Sequence, residues 1–169
     1  MKHYLTQVFQ SYKDFWIRFL DVNGRSNRAD FWHPFWINFI ISSLLGLVSA
    51  GFLSSLFGLV ILIPTFTVMV RRLHDINWRM IFAIIVFCSW CIGPVYLLVL
   101  FIFLYTGMLY DGAGDKYIWL AYQFSQVLIF VNIFITIFAL YVLARPGHKT
   151  PNKYGSGGSC EVVPEVSNQ

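Results

Sequence analysis

The sequence predicts an all-α integral membrane protein: a bundle of four transmembrane helices, preceded by an amphipathic interfacial helix and followed by a disordered tail. Three observations carry this. Hydrophobic residues make up 57% of the chain and charged residues 12%, with a mean hydropathy of +0.64, far from the balance of a domain that folds in water. The charges are confined to a few segments, leaving long uncharged runs that can be compared with the thickness of a bilayer. Of the 12 Lys and Arg residues, all but Lys116 fall on one side of a four-span arrangement.

Residues 1–22 read as the amphipathic helix. Tyr4, Leu5, Val8, Phe9, Tyr12, Phe15, Trp16, Phe19 and Leu20 recur at helical spacing, with Gln7, Lys13, Asp14 and Arg18 elsewhere around the wheel. No apolar core of a cleavable signal follows Lys2. The helix either lies in the interface or packs on the cytoplasmic ends of the spans.

The membrane domain covers residues 23–155. Phe31 to Val70 is a run of 40 residues (70 − 31 + 1) without Asp, Glu, Lys or Arg, enough for two crossings, predicted at about 31–50 and 52–70. The turn belongs near Ala50-Gly51, where glycine accepts a tight bend and Ser54 and Ser55 can satisfy freed backbone groups. Ser42, Gly46, Ala50, Ser54 and Gly58 recur every four residues and predict close packing there. Asp30 is expected to cap the first span, which Pro34 helps to begin.

Met80 to Tyr110 contains Gly93-Pro94, and splitting it there would leave two pieces too short to cross, so one long kinked span is predicted over about 80–106. Tyr117 to Ala144 supplies the fourth, about 118–144. Phe31-Trp32, Phe35-Trp36, Trp78, Trp119 and Tyr141 fall near span ends, as aromatic anchors do. Beyond Ala144 the composition turns to Gly, Pro, Ser, Asn and Lys, and residues 156–169 are predicted to be disordered. The cation bias puts both termini in the cytoplasm.

Several chemistries find little support. Cys88 and Cys91 have C-x-x-C spacing but lie inside a span without a second ligand pair, and read as small packing residues. His33, His74 and His148 form no metal-ligand pattern, so no metal or other cofactor is expected. No G-x-S-x-G elbow is present. The spans carry no ionisable residue at mid-depth, only Asn38, Asn132, Thr65, Thr67 and Thr136, which argues against an ion-coupled carrier. A net charge of +4 needs no nucleic-acid partner.

Two polar clusters stand out. Arg71-Arg72-Leu73-His74-Asp75 ends the second span, with Asp75 three and four residues from Arg72 and Arg71 and able to pair with either. Asn23-Gly24-Arg25-Ser26-Asn27-Arg28 precedes the first span on the same face. These phrases, continued by Asp30-Phe31-Trp32 and joined by Pro151-Asn152-Lys153-Tyr154-Gly155, resemble the bacterial inner-membrane family called domain of unknown function 805. The resemblance spans about residues 15–155 and matches Gly24, Arg25, Arg28, Phe31, Trp32, Arg71, Arg72, His74, Asp75, Asn152, Tyr154 and Gly155. It implies a bacterial inner-membrane location and no reaction. The chain departs from the family at Ile76-Asn77-Trp78-Arg79 and in the loop from Asp111 to Lys116.

The expected function is non-enzymatic: a basic cytoplasmic rim that binds anionic lipid headgroups or an acidic partner, with Arg25, Arg28, Arg71 and Arg72 as phosphate donors, Asp75 orienting them and His74 adding pH sensitivity. The rivals are a lipid-headgroup enzyme using His74 and Asp75 as acid-base partners, and a subunit of an oligomeric channel or transporter. Membrane lipids, and a protein partner or a second copy of the chain, are the partners this reading allows.

Overall fold

The computed structural model describes residues 2–109 and 115–159, with backbone only at 2–3 and over much of 92–121. These residues form five helices, α1 (Lys2–Ile17), α2 (Arg28–Ser49), α3 (Phe52–Asp75), α4 (Met80–Leu109) and α5 (Asp115–Ala144), and no strand. Arg28–Ser49, Phe52–Asp75 and Tyr122–Ala144 are long and apolar enough to cross a membrane. The third predicted span falls partly on residues described by backbone alone, and α4 runs unbroken through Gly93-Pro94. Two compact units result, residues up to Ala83 together with those from Leu143 onward, and Ile84–Val142.

In the first unit α1, α2 and α3 pack together. α2 begins one turn before the predicted Phe31, because Asn27 and Asp30 form a reciprocal cap. The Asn27 side chain accepts the Asp30 N–H at 3.0 Å and the Asp30 carboxylate accepts the Asn27 N–H at 3.0 Å. Asn27 is therefore the cap, Asp30 is its partner in the first turn, and Pro34 lies inside the helix. The turn into α3 falls where expected. Ala50 (φ 50°) and Gly51 (φ 95°) are left-handed, and the Gly51 N–H reaches back to the Gly46 carbonyl at 3.1 Å. Ser54 and Ser55 each donate to the Gly51 carbonyl at 2.9 Å. Since the helix breaks here, the small-residue stripe does not form one face. Gly46 faces Ser54 across the turn, whereas nothing lies within 4 Å of a Cβ placed on Gly58.

α3 ends in a Schellman motif: the Trp78 N–H bonds the Leu73 carbonyl at 2.9 Å and the Asn77 N–H that of His74 at 3.0 Å, with Asn77 at φ 61°. α1 is fastened to α2 by polar contacts. Ser11 donates to Asp30 at 3.2 Å and lies 3.3 Å from His33 Nδ1, and the Tyr12 hydroxyl donates to Asn38 at 3.2 Å. Phe15 is buried beside them, while Leu5, Phe9, Ile17 and Leu20 stay exposed. Phe31, predicted as an interfacial anchor, is a core residue with 2% exposure, while Trp36 and Tyr141 are exposed as anchors would be.

In the second unit polar side chains join α4 to α5. The Asn132 amide donates to the Ser89 carbonyl at 2.9 Å and hydroxyl at 2.7 Å, and the Trp90 indole donates to the Thr136 hydroxyl at 3.2 Å. Cys88 and Cys91, expected as packing residues, are exposed free thiols. The reason is angular: Ser89 and Trp90 face α5, and Cys88 and Cys91 on either side of them point away.

Candidate functional site

Both polar clusters and the closing motif meet in the first unit, around one carboxylate. Asp75 is fully buried at the last residue of α3. Its Oδ1 faces Arg25, with Nε at 3.0 Å and Nη2 at 2.9 Å, and its Oδ2 accepts Arg72 Nη1 at 2.5 Å. Of the two partners open to Asp75 within its helix, Arg72 is the one used. Arg71 turns the other way, donating to the Ser26 hydroxyl at 3.1 Å and to the carbonyls of Arg18 at 2.8 Å and Asp21 at 2.6 Å, just past the end of α1.

The consecutive arginines thus close different helix ends. Arg72 Nε donates to the Leu143 carbonyl at 3.0 Å, and its Nη2 donates to the Arg145 carbonyl, in the last turn of α5 and just beyond it. A guanidinium at a helix C-terminus meets orphan carbonyls and the negative end of the helix dipole, which offsets part of its desolvation. Arg25 does the same for the segment after α5. It donates to the carbonyls of Thr150 at 3.0 Å, Gly155 at 3.2 Å and His148. Arg25, Arg71 and Arg72 are at most 4% exposed.

The closing segment, residues 145–159, lies directly on the carboxylate. Ser159 donates to Asp75 through its N–H at 2.8 Å and its hydroxyl at 2.6 Å, and the His148 N–H donates to the Asp75 carbonyl at 3.0 Å. Glycine makes the approach feasible: a Cβ on Gly147 would sit 1.8 Å from Asp75 Oδ2, and one on Gly158 2.6 Å from Oδ1. Residues 156–159, placed by sequence in a disordered tail, are therefore part of the site, and the remainder of that tail lies outside the described residues.

His74 occupies the flank. Its Nδ1 lies 3.2 Å from the Gly24 carbonyl, so that nitrogen carries the proton, and its own carbonyl accepts the Asn152 amide at 2.9 Å. The Tyr154 ring stacks on it with centroids 3.7 Å apart, and Lys153 Nζ lies 4.9 Å from the Tyr154 centroid. His74 and Asp75 face different partners. Among the described residues no buried side-chain nitrogen or oxygen lacks a hydrogen bond, and no three His, Cys, Asp or Glu could hold a metal ion together.

Of the predicted phosphate donors, only Arg28 is exposed; the others are enclosed. Trp32 is half-buried near Phe31. Sequence reasoning missed Ser26, Gly147, His148, Gly158 and Ser159 as partners of these groups. Pro146-Gly147 and Gly157-Gly158 are turn signals that could have singled out these positions, though not what they approach. Outside the core, Arg18 pairs with Asp21 at 2.7 Å, and its hydrogen bond holds the Asp21 carboxyl below its ordinary value of 3.8.

A family model described as "Protein of unknown function (DUF805)" matches residues 19–156. Two curated relatives, each called "Inner membrane protein YhaH", one from Escherichia coli strain K12 and one from Escherichia coli O157:H7, are 28% identical over 91 residues. The match covers 46% of this chain and 75% of each relative. No solved structure matches.

Proposed function

This chain belongs to the DUF805 family of proteins of unknown function, and from that premise we propose a non-enzymatic, multi-pass protein of the bacterial inner membrane whose cytoplasmic rim binds anionic phospholipid headgroups. In this reading α2 to α5 each cross the membrane once. Both ends of the chain face the cytoplasm, and α1 lies in the interface with Leu5, Phe9 and Ile17 toward the lipid.

The observation that carries the reading is the meeting, around Asp75, of the loop before α2, the end of α3 and the segment after α5. The chain leaves the knot at Asp75 and returns to it at Leu143, as two crossings by α4 and α5 would require. The exposed cations Arg28, Arg79, Arg145 and Lys153 lie on the segments that meet at Asp75 or within a few residues of them in sequence. Arg25 and Arg72, held by Asp75, and Arg71, held by Ser26 and the carbonyls of Arg18 and Asp21, act as the frame, and the exposed cations supply the outer donors to phosphate. The relatives' printed name, inner membrane protein, agrees with this location.

Native mass spectrometry of the protein extracted with its own lipids tests the rim. Wild type is expected to retain phosphatidylglycerol or cardiolipin, and Arg28→Ala/Arg79→Ala/Lys153→Ala to lose most of it while staying folded. Equal lipid retention by both proteins would return these cations to topology anchors alone.

A further inference from the structure

Residues 145–159 hold the knot almost entirely through polar groups. The segment, from Arg145 to Ser159, has Tyr154 as its one large apolar side chain, and most of its residues are exposed. Few buried apolar contacts place a segment at the low end of local stability. Its grip is a set of neutral oxygens on cations: the carbonyls of His148, Thr150 and Gly155 on Arg25, and that of Arg145 on Arg72.

The charges beneath are unbalanced: two enclosed guanidinium groups, Arg25 and Arg72, share the one carboxylate of Asp75, while Arg71 is under the influence of Asp21 and Asp30 instead. If the segment lifts, Asp75 keeps both of its arginine partners, so no buried carboxylate is stranded. What opens is a fork of N–H donors on Arg25 and Arg72. The guanidinium charge already assists the bonds to the carbonyls; an anionic oxygen adds an ion pair to them and allows two parallel N–H···O bonds to one group.

We propose that residues 145–159 are a displaceable strap whose carbonyl oxygens stand where phosphate oxygens would bind on Arg25 and Arg72, and that a phosphate-bearing anion competes with the strap for them. This rests on the reading of the rim as a phosphate-binding surface and adds its regulation: the strap keeps the inner donors covered until an anion of sufficient local concentration takes its place. The anion shifts the equilibrium only by its preference for the open form. Gly147, Gly157 and Gly158 give the strap the backbone freedom to leave and return.

The test is hydrogen exchange on the full chain, read at the His148 and Ser159 amides, which bond the Asp75 carbonyl and carboxylate. The protein reconstituted into phosphatidylcholine bilayers is compared with the protein in bilayers that also contain phosphatidylglycerol, and a third sample, in phosphatidylcholine alone, receives inorganic phosphate. Exchange at both amides is expected to rise about tenfold with phosphatidylglycerol and not with phosphatidylcholine. A rise with inorganic phosphate alone would identify free phosphate as sufficient and still support the competition.

Asn152→Ala/Tyr154→Ala loosens the strap without touching a guanidinium, and in detergent is expected to bind added short-chain phosphatidylglycerol about tenfold more tightly than wild type. Phosphatidylglycerol binding with unchanged exchange and unchanged affinity of that variant would overturn the strap and leave the rim standing. No anion preference in either protein would overturn both. Preference in the loosened variant alone would support the strap and refute the rim of the closed form.

Discussion

Arg72, on α3, closes the last turn of α5 through the Leu143 carbonyl at 3.0 Å while its other nitrogens hold Asp75 and the Arg145 carbonyl. One planar group thus satisfies an ion pair and two backbone oxygens. Arg72→Lys keeps the charge but has no fork to span three acceptors. Removing one member of a buried ion pair typically costs about 3–5 kcal/mol, and Arg72→Ala is expected in that range, with Arg72→Lys recovering less than half. Thermal unfolding in detergent measures both, and a fully stable Arg72→Lys would show that charge alone suffices.

Gly147 and Gly58 form an internally controlled pair. The methyl of Gly147→Ala meets the Asp75 carboxylate at 1.8 Å, so the closing segment must shift away, at an expected cost of about 2 kcal/mol or more. Gly58→Ala meets nothing within 4 Å inside α3, and is expected to be neutral or to stabilise by up to about 1 kcal/mol through helix propensity. Equal unfolding temperatures for the two variants would contradict the close approach at Gly147.

In the second unit, Asn132→Leu removes both donations to Ser89. Interhelical hydrogen bonds in membranes contribute about 0.6–2 kcal/mol, and a loss of that size is expected in an unfolding assay. Ser89→Ala removes the hydroxyl acceptor but keeps the carbonyl one, so it should cost less than Asn132→Leu; equal costs would mean that the carbonyl contact carries no weight.

Asp21 gives the expected pH dependence. Its folded carboxyl is held below 3.8, first by the Arg18 hydrogen bond, so its contribution is fully present above that value and fades as the pH falls through the lowered folded value. Both side chains are more than a third exposed, which keeps the effect under about 1 kcal/mol. The difference in unfolding temperature between wild type and Asp21→Asn should be measurable at neutral pH and vanish in strong acid. A difference that grows on acidification would contradict the sign.

Much of the architecture was legible in the chain because hydropathy and charge act locally. The uncharged run from Phe31 to Val70 had to be folded back on itself, and Ala50-Gly51 offered the backbone for the turn. The start of α2 was misplaced by one turn because Asn27 and Asp30 cap each other, a reciprocal geometry that hydropathy does not register. Phe31 read as an anchor for a similar reason: aromatic rings near a span end look alike until the packing of α1 and α3 decides which is covered.

Sequence alone determined that this is a helical membrane protein and that Arg25, Arg71, Arg72, His74 and Asp75 belong to unusual polar clusters. Only the tertiary structure decided that the arginines face inward. Whether a guanidinium points to water or into the protein depends on what acceptors lie over it, and those of Arg72 come from Leu143 and Arg145, about 70 positions away in the chain. Helical spacing likewise left Asp75 free to pair with either arginine of its own helix. The choice was made by Ser26 and the end of α1 drawing Arg71 to one side, and by the end of α5 drawing Arg72 to the other, since each buried N–H must find an oxygen.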